Sequence, residues 1–259
     1  MARRLTVLQM LPALESGGVE RGTLEVGRHL VEQGHRSLVI SAGGRMVERL
    51  AAEGSEHLAW DVGRKHPWTL RWVPRLRRLL VQERVDILHL RSRLPAWVGY
   101  LAWRGMDPAT RPRLVTTVHG FYTPGRYSSV MVRGERVIAV SEAVREYING
   151  NYPGVDPARV RVIHRGIDPA AYPFGYVPPA TWLAGWYESF PETAGKQLLT
   201  LPGRLTRLKG HGEFLQLLRA LDGEGLPVHG LIVGGAQADK QAYAEELRVR
   251  VEELGLKQR

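Results

Sequence analysis

The residue types and spacing that most strongly indicate a binding site occur in the stretch 198–210. A short apolar run is followed there by a Pro-Gly turn, a loop with three cations and the start of a helical pattern. Together these form an anion site, because backbone N–H groups at a helix start point outward and the cations add charge. Arginine offers phosphate oxygens a planar fork and lysine a point charge, so the pattern predicts diphosphate binding, although a solvated turn has the same spacing. The cations are Arg204, Arg207 and Lys209.

Two glycine pairs mark places where a ligand can approach the backbone closely. Gly17-Gly18 lies between a predicted strand, 5–11, and a predicted helix, 19–33, and Gly234-Gly235 follows a predicted strand, 228–233. Small residues at the end of a strand open the sheet edge to a ligand. The first pair does not belong to a G-x-G-x-x-G sequence, and no acidic residue ends the next strand, so dinucleotide binding is poorly supported.

Three polar residues of the first half stand where predicted strands end. His89 and Arg91 lie at the end of the strand 85–90, and His119 directly follows the strand 114–118. The carboxyl ends of parallel strands share one edge of a sheet, where ligands bind in open α/β folds. The three side chains are therefore predicted to face a ligand, whereas a histidine in such a place is otherwise a structural polar residue.

Alternating strand and helix patterns must position these residues, and they predict an α/β fold with parallel sheets. A stretch rich in Pro, Gly and aromatic residues, 169–196, predicts a linker of irregular structure between domains 1–168 and 197–259. The second domain has only about two β-α units, too few for a complete sheet. The strands predicted in the first domain are 5–11, 35–41, 57–60, 85–90, 114–118, 133–140 and 159–163.

Composition narrows the class of protein. A chain of 259 residues with 44% apolar and 24% charged residues is typical of a globular protein with room for two cores. No run of 18 apolar residues is present, and the first apolar run is too short for a signal peptide. The absence of cysteine excludes disulfides and thiolate chemistry and favours a cytoplasmic location.

Positive charge is concentrated in the first half of the chain. The net charge is +10, and residues 64–113 contain 12 basic residues against 3 acidic ones. A predicted helix, 67–83, places Arg71, Arg75 and Arg78 opposite its apolar face, with tryptophans nearby. This pattern fits a polyanionic partner such as an anionic membrane surface or a phosphorylated glycan, although an ordinary arginine-rich surface helix has the same pattern.

Four sequence segments together resemble glycosyltransferases of family 4, the GT4 type with the GT-B fold. G-R-L-T-R-L-K-G, 203–210, is similar to the family's donor-diphosphate loop, and V-T-T-V-H-G, 115–120, is similar to the segment whose histidine faces the transferred sugar. V-I-A-V-S-E, 137–142, is also typical of the family. Gly166-Ile167-Asp168 resembles its hinge, although His164-Arg165 replaces the usual asparagine.

The resemblance implies a retaining transfer of a hexose-type sugar from a nucleotide diphosphate donor, taken here to be UDP-linked, with no metal and no other cofactor. It implies an N-terminal Rossmann-like acceptor domain and the start of a Rossmann-like donor domain. Arg204 and Lys209 would stabilise the leaving diphosphate, and His119 would bind donor hydroxyls near the reacting carbon. Gly17, Gly18, Gly234 and Gly235 would contact the donor, and Glu142, His89 and Arg91 are candidates for the acceptor side.

The acceptor implied by the basic first half is a phosphorylated or lipid-linked glycan of the lipopolysaccharide type, reached at the inner face of the membrane. The family's two-glutamate segment, E-x-F-G-x-x-x-E, is missing, and Glu245 and Glu253 match only its spacing. The chain is therefore interpreted as a C-terminally truncated enzyme. A non-catalytic module that binds membranes or partners and a GT-B-like epimerase remain alternatives, whereas no nucleic-acid-binding signature is present.

Overall fold

The first unit of the fold, Met1–Ile167, is built on one parallel sheet. A computed structural model of the chain describes residues 3–235 and 241–257. The seven strands lie in the order β3-β2-β1-β4-β5-β6-β7, and all neighbours are parallel. The strands are β1 Thr6–Met10, β2 Arg36–Ser41, β3 Glu56–Ala59, β4 Ile87–Leu90, β5 Arg113–Val118, β6 Arg136–Ala139 and β7 Val160–Val162.

The strand order reverses beside β1, and this reversal positions the ligand-binding edge. The chain goes from β1 outward to β2 and β3, then returns to place β4 on the other side of β1. Leu8 of β1 pairs with Leu38 of β2 and with Leu88 of β4, and all three side chains are buried. In such sheets a crevice opens at the carboxyl ends of the strands where the order reverses. The ends of β1 and β4 therefore form the expected ligand site.

Helices cover this sheet because each has an apolar face. On α3, Trp72, Leu76 and Leu80 are buried, whereas Arg75 and Arg78 are exposed, as the sequence pattern predicts. The predicted helix 67–83 begins as a 3-10 turn, Pro67–Arg71, before α3. The α-helices of the unit are α1 Gly18–Glu32, α2 Val47–Ala52, α3 Trp72–Gln82, α4 Arg93–Arg104 and α5 Glu142–Asn151.

The second unit, Asp168–Arg259, contains a small parallel sheet of two strands. Leu215, Leu218 and Leu247 of its helices are buried together with Val228. The predicted helix 239–254 is described from residue 241 onward, and its start lies outside the described residues. The elements that form this sheet and its cover are β8 Gln197–Pro202, α7 His211–Gly223, β9 Val228–Val233 and α8 Gln241–Glu253.

A further helix, α6 Ala180–Ser189, lies in the stretch that the sequence analysis treats as irregular linker. Trp182 stacks on Trp186 with ring centroids 5.5 Å apart, and the indole N–H of Trp186 donates to the hydroxyl of Thr193. The prediction of irregular structure is wrong for these residues. Spacing did not identify the helix, because none of its residues is buried and it has no apolar stripe against a core.

Candidate functional site

A cleft of about 210 Å³ lies at the carboxyl edge of the seven-stranded sheet, within the first unit. Residues from α1, from the ends of β4 and β5 and from the segment after β7 surround it. Three residues selected from the sequence line this cleft together, namely His89, Arg91 and His119. Its other lining residues include Gly22, Glu25, Thr117 and Arg165.

Arg91 is held in the cleft by a neutral partner. Its side chain donates from Nη1 to Oε1 of Gln9 at 2.9 Å, and Gln9 donates in turn to the carbonyl oxygen of Thr23 on α1 at 3.0 Å. Arg91 is only 5% exposed, and its Nε has no hydrogen-bond partner among the described residues. Burial and the nearby charge of Arg165 lower the pKa of Arg91 to about 10. Such a buried cation is costly unless an anion accompanies it.

His89 and His119 are both uncharged in this environment. Burial, together with the charge of Arg91, places the pKa of His89 well below its usual value. Burial, Arg91 and Arg165 likewise lower the pKa of His119 to about 3. A ring nitrogen of His89 contacts the hydroxyl of Thr117 at 2.7 Å, whereas both ring nitrogens of His119 are buried and lack partners in the described structure. His119 therefore has hydrogen-bonding capacity available for a ligand.

Arg165 is a residue of the cleft that the sequence analysis sets aside because it departs from the family's hinge pattern. A Cβ added to Gly18 would lie 3.1 Å from Nη1 of Arg165, so the guanidinium covers the first turn of α1. Nη2 of Arg165 lies 3.9 Å from a carboxylate oxygen of Glu25. The signal that identifies Arg165 is the one that identified Arg91, namely a cation just beyond the end of a parallel strand.

Two other candidates of the first unit, Gly17 and Glu142, lie at the starts of helices. Gly17 precedes α1 with φ of 153°, a conformation that side chains rarely adopt, and this turn brings the helix start to the sheet edge. A Cβ at Gly17 would lie 2.7 Å from a carboxylate oxygen of Glu20. Glu142, at the start of α5, is exposed and forms an ion pair with Arg145 at 2.5 Å. Its carboxylate is therefore already partnered, on the helix that follows the strand end of β6.

The three cations of the loop between β8 and α7 differ in their contacts. Arg207 binds Glu246 of α8 with two hydrogen bonds of 2.9 and 2.5 Å and lies over the ring of Tyr243. It therefore fastens the loop to α8, and it is not one of the two cations, Arg204 and Lys209, that the resemblance assigns to the diphosphate. Arg204 and Lys209 are exposed, and no acidic partner of either is found among residues 3–235 and 241–257.

Gly234 and Gly235 lie against this same loop at the end of β9. The backbone N–H of Gly203 donates to the carbonyl of Val233 at 2.9 Å, and that of Leu205 donates to the carbonyl of Gly235 at 3.3 Å. A Cβ at Gly234 would collide with the carbonyl oxygen of Gly203, so a larger residue would push the two strand ends apart. The glycines thus keep the cationic loop close to the carboxyl edge of the small sheet.

Comparison with known proteins identifies similar chains. The family model described as Glycosyltransferase Family 4 matches residues 16–171. An α-maltose-1-phosphate synthase of Mycobacterium tuberculosis is 33% identical over 127 residues, which is 49% of this chain and 31% of that protein. The chain therefore aligns with less than half the length of this curated relative.

Solved structures extend the similarity over nearly the whole chain. A glycosyltransferase from Rickettsia africae ESF-5 is 31% identical with a TM-score of 0.82, over 98% of this chain and 66% of the other. Anabaena HepE, solved with UDP-glucose, is 19% identical with a TM-score of 0.78, over 98% of this chain and 67% of the other. At 19% identity the similarity to HepE shows the fold alone, whereas the Rickettsia glycosyltransferase is also similar in sequence.

Proposed function

Since the chain belongs to Glycosyltransferase Family 4, we propose that it acts in the transfer of a hexose-type sugar by a retaining, metal-independent mechanism. The donor in this proposal is a UDP-linked sugar, and HepE, which shares the fold, was solved with UDP-glucose.

The single observation that carries this proposal is a pair of cations in the loop that lies against Gly234 and Gly235 at the end of β9. Arg204 and Lys209 extend from the loop between β8 and α7, and the third cation of the loop is engaged by Glu246. Two cations next to a helix start, with no acidic partner in the described part of the chain, suit the two negatively charged phosphates of a departing nucleoside diphosphate. In this role they stabilise charge that develops as the glycosidic bond breaks, so the diphosphate needs no bound cation.

Titration calorimetry of the 259-residue chain with UDP tests the proposal against a purely non-catalytic role. We expect saturable 1:1 binding that weakens as salt concentration rises, because the contacts are ionic. Inorganic pyrophosphate should compete with UDP, because the proposed contacts are to the diphosphate, and uridine should not compete. An absence of UDP binding at millimolar concentrations would instead favour a binding module.

The acceptor in our proposal is a lipid-linked or lipopolysaccharide-type glycan at the cytoplasmic face of the membrane. The surface that supports this lies around the start of α3. Trp68 is 68% exposed and Leu70 is 55% exposed. The guanidinium of Arg71 lies over the rings of Trp68 and Trp72, at 5.7 and 5.0 Å from their centroids.

Exposed indoles among cations are suited to an interface of anionic headgroups. In the described part of the chain, no helix combines the length and apolarity needed to cross a bilayer.

We expect the chain to sediment with liposomes that contain about 30% anionic phosphatidylglycerol more than with pure phosphatidylcholine. Each arginine near a membrane surface contributes on the order of 1 kcal/mol, so the double variant Arg71→Gln, Arg75→Gln should lose roughly tenfold or more in partitioning. A matched variant on another surface, Arg159→Gln with Arg161→Gln, should partition like the wild type. Equal sedimentation with both lipid compositions would remove the membrane proposal.

A further inference from the structure

Two guanidinium groups converge on one point of α1 in the cleft of the first unit. A Cβ added to Gly22 would lie 2.8 Å from Nη2 of Arg165 and 2.9 Å from Nη2 of Arg91. Arg165 reaches this point from the segment after β7, and Arg91 reaches it from the end of β4. Like charges so close to each other repel, and burial of one of them strengthens the repulsion.

The protein supplies little negative charge to offset this pair. The hydrogen-bond partner of Arg91 is the neutral amide of Gln9, and Nε of Arg91 is buried without a partner in the described structure. Glu25 lies 3.9 Å from Arg165, and its charge also acts on Arg91, where its effect on the pKa is smaller than those of burial and of Arg165. The side chain of Glu25 is half exposed. A solvated carboxylate at this distance neutralises a buried neighbour weakly. The cleft therefore has a surplus of positive charge that an incoming anion would balance.

The helix behind the two arginines favours an anion as well. α1 is 15 residues long and begins at Gly18, one turn before Gly22. The N-terminal turn of such a helix has a partial positive charge, which adds to that of the guanidiniums. No side chain among the described residues caps this helix start, although Glu20 in its first turn lies near Gly17.

We infer that Arg91 and Arg165 form a binding site for a phosphate group carried by the acceptor sugar. The inference rests on the proposed transferase function, and it narrows the acceptor to a sugar phosphate. Guanidinium forks bind phosphate oxygens in pairs, which suits two arginines that reach one point from different strands. The cleft is smaller than the roughly 300–1,000 Å³ of pockets that enclose a drug-sized ligand, so it suits a phosphate with one sugar ring.

Calorimetric titration of the 259-residue chain with glucose 1-phosphate, inorganic phosphate and glucose tests this site. We expect both phosphates to bind and glucose, which has no charge, to bind at least tenfold more weakly. Arg165→Gln, at a side chain one-third exposed, should weaken glucose 1-phosphate binding roughly tenfold or more. Arg161→Gln removes the same charge from an exposed position on β7 and should leave the affinity unchanged.

A steric variant tests the same point without removing a charge. Gly22→Ala places a methyl group between the two guanidiniums, which must move apart, while alanine remains compatible with the helix. We expect glucose 1-phosphate binding to weaken by at least several-fold while thermal stability is kept. Gly150→Ala in α5, where a Cβ meets nothing within 4 Å, is the matched control and should bind like the wild type.

Titration with UDP separates the acceptor phosphate from the donor diphosphate. Arg165→Gln should leave UDP affinity unchanged, and Arg204→Ala should leave glucose 1-phosphate affinity unchanged. If Arg165→Gln weakens UDP as much as glucose 1-phosphate, the arginine pair belongs to the donor site and the inference is wrong. Equal binding of glucose and glucose 1-phosphate also overturns it. Sugar transfer to acceptors without phosphate, with no phosphate binding, would overturn this inference alone and leave the transferase proposal standing.

Discussion

Replacing Arg204 or Lys209 with alanine is expected to lower the turnover of the proposed transferase by about two to three orders of magnitude for each residue. Removing one preorganised group that stabilises developing charge typically costs roughly 10²- to 10³-fold in kcat. Both side chains extend from the loop between β8 and α7 without an acidic partner in the described structure, so neither has another evident structural duty. The measurement is steady-state release of UDP from a UDP-sugar in the presence of acceptor.

Arg207→Ala in the same loop is the matched control for this prediction. It removes an identical charge one turn away, but its guanidinium binds Glu246 and covers the ring of Tyr243. We therefore expect a change of only a few-fold in turnover, with the main effect on the stability of the contact between the loop and α8. Turnover near that of the wild type in both Arg204→Ala and Lys209→Ala would contradict the assignment of the loop.

The fold was largely predictable because strand and helix periodicities here agree with burial. Leu8, Leu38 and Leu88 lie in apolar runs that are buried on both faces of a parallel sheet, and such runs are recognisable from sequence. On α3, the apolar positions are spaced at helical intervals and the structure buries them. α6 was missed because its tryptophans stack on one another, and the spacing rules detect only packing against a common core.

The sequence predicts where strands end more reliably than it predicts which side chains pair with each other. His89, Arg91 and His119 were selected because each stands where a strand ends, and the sheet brings them to one cleft. The same rule applies to Arg165, although the family's hinge pattern has asparagine where this chain has His164-Arg165. Arg207 stands between Arg204 and Lys209 in the sequence, but its partner, Glu246, lies 39 residues further along the chain. Long-range pairings of this kind depend on tertiary packing and cannot be inferred from local spacing.

His119→Ala is expected to lower turnover by roughly 100-fold through the loss of hydrogen bonds to a sugar. Both ring nitrogens are buried and lack partners in the described structure, so a substrate hydroxyl would be their first partner. A hydrogen bond that forms only as the substrate reacts lowers the barrier, and its loss appears in kcat. His119→Asn keeps one donor and one acceptor and should lose less turnover than His119→Ala. His29→Ala, at an exposed position near the end of α1, should retain wild-type turnover.

The pH dependence of turnover distinguishes this role from acid–base catalysis. The pKa of His119 is lowered to about 3, mainly by burial, so the ring is neutral throughout the range from about pH 6 to 8. Turnover in that range should show no step that disappears in His119→Asn. The lowered pKa also limits how acidic the assay can be. In the unfolded chain His119 takes up a proton near pH 6.5, whereas in the folded chain burial keeps it neutral to much lower pH. The contribution of His119 to folding stability is therefore unchanged above about pH 6.5 and becomes increasingly unfavourable as the pH falls toward 3. A titration near pH 6.5 that the asparagine variant abolishes would show instead that His119 exchanges a proton during turnover.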